Sequence, residues 1–160
     1  MAARNKLVIR NPHAIRDIQR RIGAHAVAVG VHGDEGMHKD ENGEQTGNTV
    51  AEIYWWNEFG TSRIPERPTL RPTFAKEKAK YIQILGKIAA RVMNEDNYNL
   101  RQAMGRLGEV AQQDVQQAIV ALKSPPNRPS TIKKKKSDNP LIDGGDMVSR
   151  IRWAYVKPEE

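Results

Sequence analysis

The stretch from Asn57 to Pro72, Asn-Glu-Phe-Gly-Thr-Ser-Arg-Ile-Pro-Glu-Arg-Pro-Thr-Leu-Arg-Pro, narrows the fold of this chain more than any other. Pro65, Pro68 and Pro72 fix their own φ, and each biases the residue before it, Ile64, Arg67 or Arg71, toward extended backbone. Gly60 supplies the dihedral freedom for a sharp exit from whatever element precedes it. The segment therefore reads as a rigid extended strap that carries arginines outward and delivers the chain into a long helix. Nothing in it has the pattern of a reaction centre.

The elements on either side follow from periodicity. Ala14, Ile15, Ile18 and Ile22 recur at helical spacing, and Arg16, Arg20 and Arg21 hold the opposite face, so residues 11–22 are expected to be a short amphipathic helix. From Ala24 to His32 bulky and thin residues alternate, with His25, Val27, Val29 and Val31 on one side and Ala26, Ala28 and Gly30 on the other. That is a strand whose thin face suits close cover by a helix. Residues 33–48 are acidic and glycine-rich with almost nothing apolar, and the expectation is a mobile surface loop. Thr49-Val50-Ala51-Glu52 matches a capping box, which supports a helix through Tyr54 and Trp56 to Gly60; a strand is the competing reading, because aromatic residues also favour sheets.

Beyond the strap, Phe74, Ile82, Leu85, Ile88 and Val92 mark a long helix ending near Met93. A second helix runs from Leu100 to Leu122, and the short break between the two predicts antiparallel packing. Gly105 and Gly108 inside it would let another backbone approach closely. Residues 124–140 form a basic loop, Asp143 is placed to cap a helical turn, and Arg150 to Val156 is a closing strand with Ile151, Trp153 and Tyr155 inward. The expected fold class is α+β: one domain over 1–160, with a small antiparallel sheet built from N- and C-terminal strands and packed against the two long helices.

Composition removes several classes of function. Cysteine is absent, which excludes disulfides, thiolate catalysis and thiolate metal sites. No stretch has the length and apolarity of a membrane span, and the first residues lack the apolar run of a secretory signal. No serine stands in a nucleophile elbow and no glycine-rich loop has phosphate-binding spacing, so neither an enzyme nor a cofactor is expected. His32, Asp34 and His38 are near one another, but a glycine-rich loop gives no preset geometry for a metal. The formal charge of +7 favours polyanions or acidic protein faces without choosing between them.

Several motifs occur together in a definite order: Val27-Ala28-Val29-Gly30-Val31, Glu58-Phe59-Gly60-Thr61 with Ile64-Pro65-Glu66-Arg67-Pro68, Pro125-Pro126, Thr131-Ile132 with Lys135, and Pro140-Leu141-Ile142-Asp143. This order resembles the neck and tail-completion proteins of tailed bacteriophages, the virion-morphogenesis family, over most of the chain. Two positions depart from that pattern. Gly144 stands where a threonine usually follows the aspartate, and Thr69 stands where a phenylalanine usually follows the second proline.

The resemblance implies a structural virion protein at the neck or the head-proximal end of the tail, present in the host cytoplasm during assembly. The implied partners are the tail terminator, the head-closure or connector protein and the tail tube, in a ring that is hexameric by family analogy. Contact with genomic DNA is left open by the lysine run, beside a solvated loop or docking on an acidic neighbouring subunit, and no contact with a membrane is expected. The residues themselves support a basic, interface-rich, non-enzymatic domain, and a nucleic-acid-binding protein is the alternative.

The residues expected to meet partners are Trp55, Trp56, Glu58, Phe59, Arg63, Arg67 and Arg71. Consecutive aromatics cannot all face one core, and forked guanidinium groups on a rigid strap suit carboxylates across an interface. Lys133, Lys134, Lys135 and Lys136 are candidates for contact with DNA phosphates or an acidic partner. Thr49, Gly60, Asp143 and Gly144 are expected to serve as caps and turns, and Glu52 and Glu58 also read as cap or turn formers.

Overall fold

The computed structural model describes residues 14–32, 36–39, 43–95, 97–135, 138–142 and 146–157. The architecture is α+β. Helix α1 spans Ala14–Gly23, strand β1 Ala26–Val31, β2 Met37–Lys39 and β3 Gln45–Thr49. Helices α2 (Val50–Phe59), α3 (Leu70–Asn94) and α4 (Leu100–Ala121) follow, then short helices α5 (Pro129–Lys135) and α6 (Asp146–Ser149) and the strand β4 (Ile151–Val156).

Strand β1 pairs antiparallel with β4, so residues from the two ends of the chain share one sheet. The register sets Val27 against Tyr155, Val29 against Trp153 and Val31 against Ile151, which places these six bulky apolar residues on one face. Helix α4 covers that face. Gly105 and Gly108 make the fit: a Cβ on Gly108 would stand 2.8–2.9 Å from the inner atoms of the Trp153 indole, and one on Gly105 would stand 2.6 Å from the Tyr155 hydroxyl. The close approach therefore comes from the helix's glycines and is made to side chains of β4. Sequence reasoning placed it on the thin face of β1 and gave the helix glycines to a neighbouring backbone. On the thin side, a Cβ on Gly30 would meet only the tip of Leu70, at an ordinary van der Waals distance of 3.8 Å.

Helices α3 and α4 are antiparallel, and α3 packs chiefly on α4. Tyr81, Ile88 and Val92 of α3 enclose one core with Leu100, Met104, Leu107 and Ala111 of α4. Across this seam Asp114 accepts hydrogen bonds from Lys80 Nζ (2.6 Å) and from the Tyr81 hydroxyl (2.9 Å). Burial, and then the Asp114 bond, raise the Tyr81 phenol above its ordinary pKa. A second core joins Tyr54, Val115, Ile119, Leu141, Met147 and Ile151. Buried Asn139 fixes its lower edge by donating to the carbonyls of Ile119 and Val120 at the end of α4, while its Oδ1 accepts from the N–H groups of Leu141 and Ile142.

Two segments read as loops contain regular structure. Within 33–48, β2 and β3 form an antiparallel hairpin with a register irregularity between Met37 and Lys39, and Gly36, Gly43 and Gly47 take positive φ. Polar strands without an apolar face leave no periodic signal to read. Within 124–140, α5 carries Lys133 to its C-terminal end at Lys135.

Candidate functional site: the strap and the exposed face of α2

Helix α2 starts as its sequence dictates. The Thr49 hydroxyl accepts from the Glu52 N–H, the Glu52 carboxylate accepts from the Thr49 N–H at 2.8 Å, and together they make the capping box. These bonds hold Glu52 below the usual carboxylate pKa, the Thr49 backbone contact contributing most. The helix ends at Gly60 with φ +72°, where a Cβ would come within 3.2 Å of the Glu66 amide nitrogen. Only glycine combines that dihedral with that clearance. The chain then folds back: the Thr61 N–H donates to the Ile64 carbonyl at 2.8 Å, and the Thr61 hydroxyl accepts from the N–H groups of Arg63 and Ile64.

Glu58 is the pivot. It is only 4% exposed, and its carboxylate accepts the N–H groups of Thr69 (2.7 Å), Leu70 (3.0 Å) and Arg71 (2.9 Å). Those are orphan donors at the start of α3, so Glu58 of one helix caps the next. Thr69, at the N-cap position of α3, makes no side-chain cap bond. Its hydroxyl is instead paired with the Tyr54 hydroxyl at 2.8 Å in the core. Burial raises the Tyr54 phenol well above its ordinary pKa, and the Thr69 bond opposes that rise.

Arg67 is the second anchor and corrects the expectation that it reaches a partner. It is 6% exposed, with Nη1 donating to Asn57 Oδ1 (3.1 Å), Nε to the Pro125 carbonyl (2.9 Å) and Nη2 to the Pro126 carbonyl (3.2 Å). Its backbone N–H also donates to the Asn57 carbonyl at 2.6 Å. A guanidinium that is buried and bonded through all three nitrogens to its own chain has little left to offer a neighbour, and burial lowers its pKa from the ordinary value. Glu58 is likewise consumed internally. Both were named as interface residues, and both are struts.

The residues that do face outward form a stack. Trp55 is 61% exposed and Phe59 44% exposed, with ring centroids 4.1 Å apart. The Arg71 guanidinium lies 4.5 Å over the Phe59 ring and is fixed by Glu66 at 2.5 Å, by Glu58 Oε1 at 3.3 Å and by the Glu58 carbonyl at 2.6 Å. Glu66 is the main cause of the rise in the Arg71 pKa. Behind the stack is a groove of about 300 Å³, lined mostly by apolar atoms of Val31, Ala51, Tyr54, Trp55, Phe59 and Leu70. Trp56 is half-buried and Arg63 is exposed.

Of the lysine run, Lys133 is exposed, Lys134 and Lys135 continue α5, and Lys136 lies outside the described residues, as do Asp143 and Gly144. Among the described residues no three His, Cys, Asp or Glu side chains converge as metal ligands; His32 Nε2 instead donates to the Arg152 carbonyl at 3.2 Å.

Sequence reasoning missed Asn57 and Asn127. Asn57 is buried beneath Arg67 and donates to the Ile53 carbonyl. Asn127 Nδ2 donates to the Pro140 carbonyl at 3.2 Å. An asparagine beside a proline-rich turn is a weak signal by itself, and its meaning here comes from tertiary partners. No family profile, curated protein or solved structure matches this chain.

Proposed function

We propose that the chain is a structural protein of a tailed-phage virion, at the neck or head-proximal tail end, completing the tail or its joint with the head by protein–protein assembly. One observation carries this reading. The strap, the double proline and the Pro-Leu-Ile segment, which carry the family resemblance, are wired together in space. Arg67 of the strap bonds the carbonyls of Pro125 and Pro126, and Asn127 bonds that of Pro140. Motifs more than fifty residues apart thus form one rigid unit. Beside that unit stands the exposed Trp55–Phe59–Arg71 stack, of residue types enriched at protein interfaces, Trp and Arg being the ones that most often dominate binding.

Because the scaffold is pre-ordered, little side-chain entropy is lost when a partner covers the stack. The partners in this reading are the tail terminator, the head-closure or connector protein and the tail tube, in a ring. No described helix is long and apolar enough to cross a membrane.

The test is made in the phage that encodes the chain. With Trp55→Ala and Phe59→Ala combined, the protein accumulates folded, but electron microscopy of lysates shows heads and tails unjoined. Normal yields of infectious particles would overturn the assignment of the stack. Tight retention of the purified protein on duplex DNA at about 0.15 M salt would favour the nucleic-acid-binding alternative.

A further inference from the structure

Helix α3 has a second surface, independent of the strap, that the core does not use. Ala75, Ala79, Ile82, Gly86, Ala90 and Met93 recur every three or four residues along its outer side. All are exposed, Ile82 by 57% and Met93 by 60%, and a Cβ on Gly86 would meet nothing within 4 Å. At the helical rise per residue the face runs about 27 Å. It carries no charge. Its borders are Lys78 on one side and Lys76 and Lys87 on the other, all exposed, whereas the acid nearest them, Glu77, is turned inward and paired with Lys80 and Lys76.

We propose that this face docks an amphipathic helix of a partner protein whose own apolar seam is flanked by carboxylates. The small residues let a second helix axis come close, while Ile82 and Met93 supply two apolar knobs near the middle and the end of the seam. Charge chooses the occupant. A second copy of α3, parallel or antiparallel, would set lysine borders against lysine borders, and like charges facing across a helix pair are unfavourable. Nucleic acid fits the lysines but would lay phosphates over Ile82 and Met93, which gain nothing from them. An acidic helix satisfies both the seam and its borders. Two large apolar side chains left more than half exposed on one face are what a covered surface looks like without its cover.

The test uses the full chain and two fluorescein-labelled synthetic helices of 21 residues, about the length of the face. They share a Leu/Ala seam and differ only in carrying Glu or Lys at the flanking positions. Fluorescence anisotropy at about 0.15 M salt is expected to show the Glu peptide binding at least tenfold more tightly than the Lys peptide. Ile82→Glu should weaken the Glu peptide at least tenfold. Lys78→Glu combined with Lys87→Glu should invert the preference, a result that damage to the fold cannot mimic; thermal melts confirm that each variant folds.

Five results would overturn the proposal. The two peptides bind equally, or neither binds. Ile82→Glu changes nothing. Duplex DNA displaces the Glu peptide at lower concentration than the unlabelled peptide does. Sedimentation shows a dimer that Ile82→Glu dissolves, which would give the face to a second copy.

Discussion

Gly108→Ala is the sharpest test of how α4 sits on the sheet. Alanine inside a helix is favoured over glycine by about 1 kcal/mol, so propensity alone predicts a gain. Geometry predicts the reverse. The new methyl would lie 2.8–2.9 Å from Cδ2, Cε3 and Cγ of Trp153, where relaxed carbon contacts sit at about 3.5–4.0 Å.

Those atoms are the root of the indole and not its tip, so no rotation about the outer bonds clears them. The strand itself must retreat, yet Trp153 N–H is bonded to Gln112 Oε1 at 3.0 Å and the residue pairs with Val29. Overpacking of this kind costs about 2–3 kcal/mol, leaving a net loss of about 1–2 kcal/mol after the propensity gain. Gly86→Ala is the internal control: the same propensity gain, on an open helix face, with nothing to collide with. Urea unfolding followed by far-ultraviolet circular dichroism should rank Gly86→Ala above wild type and Gly108→Ala below it. The two midpoints in a thermal melt should differ by about 4–10 °C for a domain of this size. If Gly108→Ala proves as stable as Gly86→Ala, the helix–sheet contact described for Trp153 is wrong.

Arg67→Ala should lower unfolding stability by about 2–4 kcal/mol in urea titrations, because it removes a buried cation and strands three acceptors; a change below about 0.5 kcal/mol would restore Arg67 to the surface. Glu58→Gln should cost about 1–3 kcal/mol through loss of the charged cap on α3, with Glu66→Gln nearly neutral, and equal effects of the two would refute the assignment of the cap. The depressed pKa of Glu52 means that its contribution to stability is present above the ordinary carboxylate pKa and lost as pH falls through its lower folded value. Glu52→Gln should therefore flatten the acid limb of the stability–pH curve, read from thermal melts between about pH 2 and 5, while an unchanged limb would mean that the capping box is not formed in solution.

The fold was legible wherever one residue type recurred on one face. The helices α1, α3 and α4, the strand β1 and the closing strand β4 all follow from such patterns, whereas α2 was marked by its Thr49–Glu52 box, which fixes its start to the residue. What escaped were decisions taken by tertiary neighbours. Glu58 reads as a helix cap or turn former, but nothing local says that the helix it caps begins twelve residues later. Arg67 looks like an outward arginine because the carbonyls of Pro125 and Pro126 that bury it are distant in sequence. The outer stripe of α3 was hidden for another reason: alanines spread all round a helix dilute its amphipathic signal, and only exposure separates the inner apolar face from the outer one.

The pairing of β1 with β4 also sets the order in which this chain can be completed on a ribosome. Strand β1 emerges early, yet its partner begins at Ile151, so the valine face and the whole inner side of α4 are made long before the strand that seals them. At about 5–20 residues per second the wait from β1 to β4 is on the order of 6–24 s, and from the end of α4 about 1.5–6 s. During it, α3 and α4 can pair locally, while Gly105 and Gly108 wait on an open groove for Trp153. Ribosomes stalled before that strand should therefore carry a helical, chaperone-accessible intermediate, and the sheet should close only once β4 has emerged.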